Sequence, residues 1–348
     1  VLFTNRLRNY NLMEFVNGYE IETTNPCVTG DTLILTKNGY EKIENLVNTD
    51  VEIWNGYQWS LVTPQVTGNN QDVYKVSFSD GTSVNCTKYH KWLMNDNNRK
   101  ETQDLKNGDK LIKCFYPIIE SQNPSINDKN LMYTYGFFSG DGSYTSNGSP
   151  VLYLYGEKQN LLPFFVNGVV RIDKTTQERV VLTIQENKNT FDKEFVPDVN
   201  YSINDRLNWL SGLIDADGSL NSSDGGITIT SINNYFLNKV KCLLNTLGCN
   251  ATLNIMKDCC SKMMPNHKGG VSEYNCKTCY RLTINASNVY KLMNLGLKTN
   301  RVILCANPNR DASRFIQVVD IEYVGKVDTV YCLNEPYNHT FIANGVIT

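Results

Sequence analysis

The sequence predicts a multidomain protein in which an all-β module is interrupted by an α/β module built of two pseudo-symmetric αββ-type halves. Three observations carry this. Short β-rich runs separated by Asn-Gly and Asp-Gly turns fill residues 27–115 and return after Arg314. The stretch between them alternates helical and strand-like segments. Within it, two Gly-rich helix ends place Asp141 and Asp217 76 residues apart. At 348 residues the chain suits two or three domains rather than one core.

Along the chain, Phe3–Phe15 reads as helical, Tyr19–Thr24 as extended, and Asn25-Pro26 as a turn or extended dipeptide. Strands are expected at Thr32–Leu35, Val51–Trp54, Val73–Phe78, Ser83–Cys86 and Lys110–Cys114. The intervening Lys37-Asn38-Gly39, Asn55-Gly56 and Asp80-Gly81 are hairpin signals. Residues 116–127, with Tyr116-Pro117 and Asn123-Pro124-Ser125, read as a linker. Helices are expected at Leu131–Gly140, Leu207–Ala216, Asn233–Leu247 and Ala286–Leu295, and strands at Pro150–Tyr155, Val180–Gln185, Gly226–Thr230 and Tyr280–Ile284. The β character returns at Phe315–Tyr323, Val330–Leu333, His339–Ile342 and Val346–Thr348. The expected division is 1–26 as a preceding segment, 27–122 and 313–348 as the two parts of the β module, and 123–312 as the insert.

Composition narrows the class. No run of eighteen apolar residues occurs, so no membrane span is expected. Val1–Glu20 is too polar for a signal peptide, and Val1 in place of an initiator methionine suggests an internal position of a longer reading frame. The eleven cysteines read as reduced thiols in a cytoplasmic, reducing compartment, and a monomer is expected. The net charge of -2 by itself argues against nucleic acid. Yet residues 225–310 carry eleven Lys and Arg against Asp258 and Glu273, a local charge of +9, which suits a polyanion. A solvated basic surface would give the same count.

Three blocks carry chemistry. The first is Cys27-Val28-Thr29-Gly30-Asp31-Thr32, the second Gly81 to His90 with Thr87-Lys88-Tyr89-His90 at its end, and the third Val330-Tyr331-Cys332-Leu333 with Asn338-His339-Thr340-Phe341-Ile342-Ala343-Asn344-Gly345-Val346. A thiolate is a strong nucleophile, so Cys27 can attack the carbonyl before it; Thr87 and His90, three apart, suit a hydrogen bond to the strained peptide and a general acid. In order and spacing the blocks resemble the splicing motifs of inteins, whose β domain is the horseshoe-like Hint fold. The resemblance implies an N-to-S acyl shift at Cys27, assisted by Thr87 and His90, with His339 assisting cleavage at the far end and no cofactor for splicing. Cys332 stands where many inteins have Asp; tuning of the acyl shift and a second thiol both remain open. The family normally ends in His-Asn followed by Cys, Ser or Thr; this sequence stops at Thr348, so the chain as it stands is expected not to splice. A hedgehog-type autoprocessing domain shares the β fold, but residues 330–346 argue against it.

Glu22-Thr23-Thr24-Asn25-Pro26-Cys27 resembles the active-site segment of ribonucleotide reductase large chains, which implies such a protein as the host segment in cis.

Within the insert, Leu210-Ser211-Gly212-Leu213-Ile214-Asp215-Ala216-Asp217-Gly218 resembles the LAGLIDADG motif of homing endonucleases, with Thr134 to Gly142 a degenerate copy. Small residues at Gly136, Gly140, Gly212 and Ala216 would let two helices approach closely. The resemblance implies that Asp141 and Asp217 jointly hold Mg2+ for cleavage of double-stranded DNA at a homing site. Lys158 and Lys239 are candidates for activating water. Lys239, Lys241, Lys257, Lys262 and Lys268 are candidates for phosphate contact. Cys259, Cys260, His267, Cys276 and Cys279 have structural-zinc spacing, with buried free thiols or an adventitious disulfide as alternatives. A second reading keeps the splicing domain but makes the insert a zinc-stabilised DNA-binding module that does not cleave.

Overall fold

The computed structural model describes residues 27–348 apart from 122, 127, 175–177, 186–187, 266–269 and 306–313. The expected Phe3–Phe15 helix and extended Tyr19–Thr24 lie outside the described residues. No helix among the described residues is long and apolar enough to cross a membrane.

The β module is two antiparallel sheets sharing one apolar interior. One sheet runs in the order Val28–Thr29, Ser83–Thr87, Gln65–Phe78, Phe315–Cys332, Lys110–Ile112, and Val28–Thr29 also pairs with Phe315–Cys332. The other runs Val346–Ile347, Ile342–Ala343, Leu33–Thr36, Val51–Trp54, Trp59–Val62, with Gly39–Lys42 beside Leu33–Thr36. Alternating residues such as Val76, Phe78, Val84 and Cys86 point into a core with Trp92, Leu111 and Val318. Segments expected as separate strands at 315–323 and 330–333 form one continuous strand, Phe315–Cys332. It pairs along its length with Gln65–Phe78, whose polar first half, Gln65–Asp72, lacks the apolar alternation that would announce a strand. The expected His339–Ile342 strand contracts to Ile342–Ala343, because His339 takes a left-handed turn conformation with φ 54°.

Among the described residues the insert contains four α-helices: α1 (Lys129–Asp141), α2 (Ile203–Asp217), α3 (Asn234–Thr246) and α4 (Ala286–Asn294). Each expected helix is present within a few residues. The starts are fixed by side-chain caps: Asp128 accepts from the Asn130 and Leu131 amides, and Ser202 forms a capping box with Asp205. After α1 comes a sheet in the order Gly142–Tyr144, Pro150–Tyr155, Arg179–Ile184, Gly168–Asp173. After α2 comes one in the order Gly218–Leu220, Ile227–Ser231, Cys279–Ile284, Thr252–Lys257. Both follow first, second, fourth, third, so the internal repeat inferred from the two Asp-Gly helix ends is a repeat of topology. A separate hairpin, Cys260–Pro265 with Val271–Cys276, extends from the second half.

Helices α1 and α2 meet backbone to backbone. A Cβ on Gly136 would stand 1.8 Å from the Trp209 carbonyl oxygen, and one on Gly212 would stand 2.0 Å from that of Tyr133. Only glycine fits at either crossing point.

The two modules are packed together by polar contacts. The Leu253 amide donates to the Asp80 carbonyl at 2.9 Å and the Ile119 amide to that of Thr246 at 2.9 Å. Asn245 donates to the Tyr40 hydroxyl at 2.9 Å. Gly81, at φ +80°, lies so close to Leu253 that no side chain could enter.

Candidate functional site

Cys27 is fully buried at the start of the first β strand. Its amide donates to Thr87 Oγ1 at 3.1 Å, and the Thr87 amide donates to the Cys27 carbonyl at 2.9 Å. The register that pairs Val28 with Tyr331 and Thr29 with Val330 puts Cys27 opposite Cys332 at the next step. Their thiols meet, and Cys27 Sγ also lies 2.8 Å from Thr67 Oγ1. The hydrogen bond with Cys332, and then burial, push the Cys27 thiol far above its usual range, whereas the same bond holds Cys332 below. The two thiols thus form one coupled pair in which a single proton is shared between neighbouring sulfurs.

Cys332 opens onto a cleft of ≈ 760 Å³ also lined by Thr67, His90, Arg99, His339 and Thr348. His90 is buried, its amide bonded to the Thr87 carbonyl at 3.0 Å and its ring edge-on to Trp92 at 4.9 Å. His339 is exposed, with Nδ1 2.9 Å from the Glu335 carbonyl. Thus all five residues expected at the splicing centre gather at one end of the β module, although the sequence separates them by up to 312 positions. Sequence reasoning missed Thr67, Arg99 and Glu335. None carries a local signal: Thr67 and Arg99 meet partners distant in the chain, and the carboxylate of Glu335 is buried against Asn55 and Ser60.

The second centre lies at the ends of α1 and α2. Gly140 brings the helices so close that a Cβ there would stand 2.9 Å from Asp217 Oδ2. Partial withdrawal from water and the Asp141 carboxylate raise the Asp217 carboxyl, while Lys158, Lys193 and Arg301 oppose the shift. Lys158 Nζ bonds Asp141 Oδ2, and Lys193 Nζ donates to the Gly140 carbonyl at 3.1 Å. Lys193 and Arg301 were not foreseen. Asp215, between the two, is structural: it is buried and accepts from the Asn300, Arg301 and Val302 amides and from the Tyr133 hydroxyl. The two neighbouring carboxylates, with Asp217 open to solvent, supply oxygen donors of the kind a divalent cation takes.

Two expectations need correction, and a third falls partly outside the described residues. Lys241 is not a phosphate contact. It is buried, and its Nζ donates to Asp80 Oδ2 at 2.8 Å, Thr82 Oγ1 at 2.7 Å and the Asp80 carbonyl at 3.1 Å. Its place one face round α3 turns it toward the β module. Lys239 donates to the Glu194 carbonyl at 2.7 Å and lines a cleft between the modules rather than the acid pair. The zinc ligands do not assemble among the described residues, where no three His, Cys, Asp or Glu side chains converge. Cys260 and Cys276 face each other across the hairpin, but Cys279 sits on the neighbouring sheet opposite Lys257, and exposed Cys259 is the chain neighbour of Cys260, so the two side chains diverge. His267 and Lys268 lie outside the described residues, as does the Lys262 side chain. Lys257 is exposed at the end of Thr252–Lys257, and Arg281 is exposed on the central strand between Thr230 and Asn254.

The family described as Intein splicing domain matches residues 33–348. The ribonucleoside-diphosphate reductase large subunit of Invertebrate iridescent virus 6 is 34% identical over 95% of this chain and 36% of its own length. The ribonucleoside-diphosphate reductase NrdEB subunit alpha of Bacillus subtilis (strain 168) is 25% identical over 100% of this chain and 38% of its own. The chain thus spans little more than a third of these relatives. Among solved structures, a G-1F mutant of the Ssp DnaB mini-intein variant M86 is 21% identical over 28% of this chain and 65% of that one, at a TM-score of 0.24. A mesophilic variant of the homing endonuclease I-DmoI is 16% identical over 50% of this chain and 98% of that one, at a TM-score of 0.34.

Proposed function

The chain belongs to the intein splicing domain family, and from that premise we propose that it performs an N-to-S acyl shift at Cys27 and carries a site-specific, metal-dependent DNA endonuclease in its insert. The observation that supports the first activity best is the convergence of Thr87, Thr67 and Cys332 on the amide and thiol of one buried cysteine.

In the shift, Cys332 takes the proton of the Cys27 thiol, and Sγ attacks the carbonyl carbon of Pro26. The new C–S bond forms as the C–N bond breaks, and the departing Cys27 nitrogen is protonated. Thr87 holds that nitrogen during the displacement, and His90, one turn on, serves as the general acid. His339, across the same cleft, serves the C-terminal junction.

For the insert, Asp141 and Asp217 would hold a divalent cation, magnesium being the expectation. The cation would supply Lewis-acid stabilisation of a phosphodiester under attack. Lys158 and Lys193 neutralise charge around the acids, and the outward faces of the two sheets, with Arg281 and Lys257, meet the backbone of double-stranded DNA. A ribonucleotide reductase large chain is the host proposed in cis, on the strength of residues 22–27 and of both curated relatives.

Intact-mass spectrometry after incubation with a strong thiol tests the first activity. Release of residues 1–26 is expected, and its persistence in Cys27→Ala would remove Cys27 from the mechanism.

A further inference from the structure

We propose that Glu335 is the positioning residue of His339: its buried carboxylate folds the Glu335–His339 turn and fixes the imidazole as the Nδ1–H tautomer, leaving Nε2 as the proton-accepting nitrogen in the cleft. The proposal rests on the reading of His339 as a splicing residue.

Glu335 is 2% exposed. Among the described residues it makes no ion pair with Lys or Arg. Four neutral donors surround it instead. Ser60 Oγ donates to Oε1 at 2.5 Å, Asn55 Nδ2 to Oε1 at 3.1 Å, the Tyr337 amide to Oε1 at 3.2 Å and the Asn338 amide to Oε2 at 2.6 Å. Burial alone would raise the carboxyl; these donors more than offset it and hold it below the usual range. Every neighbour is a donor, so the site requires a group that only accepts. Among side chains that is a carboxylate. Gln would fit by shape, yet in either amide orientation its NH2 would face a donor.

The consequence is felt at His339. Two of the four bonds hold the amides directly before it, and Arg99 Nη2 donates to the Asn338 carbonyl at 3.0 Å and to that of His339 at 2.8 Å. These contacts hold His339 in the left-handed region, at φ 54°, which is uncommon for a residue other than glycine. In that conformation Nδ1 lies 2.9 Å from the Glu335 carbonyl oxygen. A carbonyl only accepts, so Nδ1 carries the proton and Nε2 does not.

The test is nitrogen NMR of the full chain with labelled histidine, at a pH where imidazole is neutral. The chain has 3 His, and His339→Gln identifies the signal. The unmodified chain should show His339 as the Nδ1–H form alone; a dominant Nε2–H form overturns the proposal without any variant. In Glu335→Gln, that single form should be lost to a mixture while the His90 signals stay in place; a retained Nδ1–H form overturns it too. The underlying reading fails separately, if His339→Ala leaves splicing unchanged in a precursor carrying both junctions.

Discussion

Lys241, on a helix of the insert, is bonded to Asp80, in a turn of the β module, at 2.8 Å and with side chains 8% and 14% exposed. That turn runs directly into Ser83–Thr87, the strand that ends at the threonine bonded to the Cys27 amide. The insert is therefore part of the support of the splicing centre.

Breaking one side of this pair leaves a buried uncompensated charge. Lys241→Met should cost about 3–5 kcal/mol, read by denaturant unfolding, and Lys241→Met with Asp80→Asn should recover much of it. Burial by itself would raise Asp80, but Lys241 and Thr82 hold it below the usual carboxylate range. Its contribution is thus present above the unfolded-state value and is lost as pH falls through the depressed folded-state value. Titrating stability in acid should show that loss in the unmodified chain and not in the double variant.

With Cys332 as the proposed acceptor of the Cys27 proton, Cys332→Ala should slow thiol-induced cleavage by about 10²-fold or more, the scale of a lost general base. The residual rate should climb with pH, because hydroxide must then ionise a thiol that burial keeps protonated. A pH profile of fragment release decides this, and an unchanged profile would exclude Cys332 as the base.

Asp217→Asn should abolish metal-dependent DNA cleavage and leave thiol-induced cleavage at Cys27 intact. Because the Asp217 carboxyl is raised in the fold, its ionisation disfavours the metal-free protein. That destabilisation is absent below the unfolded-state value and grows as pH rises through the folded one. At neutral pH the Asn variant should melt higher than the parent without metal, as scanning calorimetry in chelator would show.

Gly212→Val would drive a side chain into the Tyr133 carbonyl. Overpacking of side chains costs about 1–3 kcal/mol, and a backbone atom cannot turn aside, so a loss at or above that range is expected. Circular dichroism melting measures it; a wild-type melt would contradict the close crossing.

Much was legible in the sequence where one local rule decides. Hairpin turns marked the β module, caps and apolar spacing marked the helices, and paired Asp-Gly ends marked the repeat. Gly136 and Gly212 were readable as contact points because close approach leaves glycine few substitutes. Reading failed where position depends on a partner. Lys241 and Lys257 look alike in a basic stretch, yet one is buried against Asp80 and the other exposed on a sheet edge. Gln65–Asp72 reads as loop because its partner is the strand Phe315–Cys332, some 250 residues away.

The sequence by itself determined the modules, the splicing blocks and the acid pair, since these rest on residue type and short-range order. Only the tertiary structure decided that Cys332 faces Cys27, that Glu335 holds His339, and that Cys260 pairs with Cys276 across a hairpin while Cys279 joins the neighbouring sheet. Those relations depend on strand register and on which way each side chain turns, and both are set by packing between segments that the chain keeps far apart.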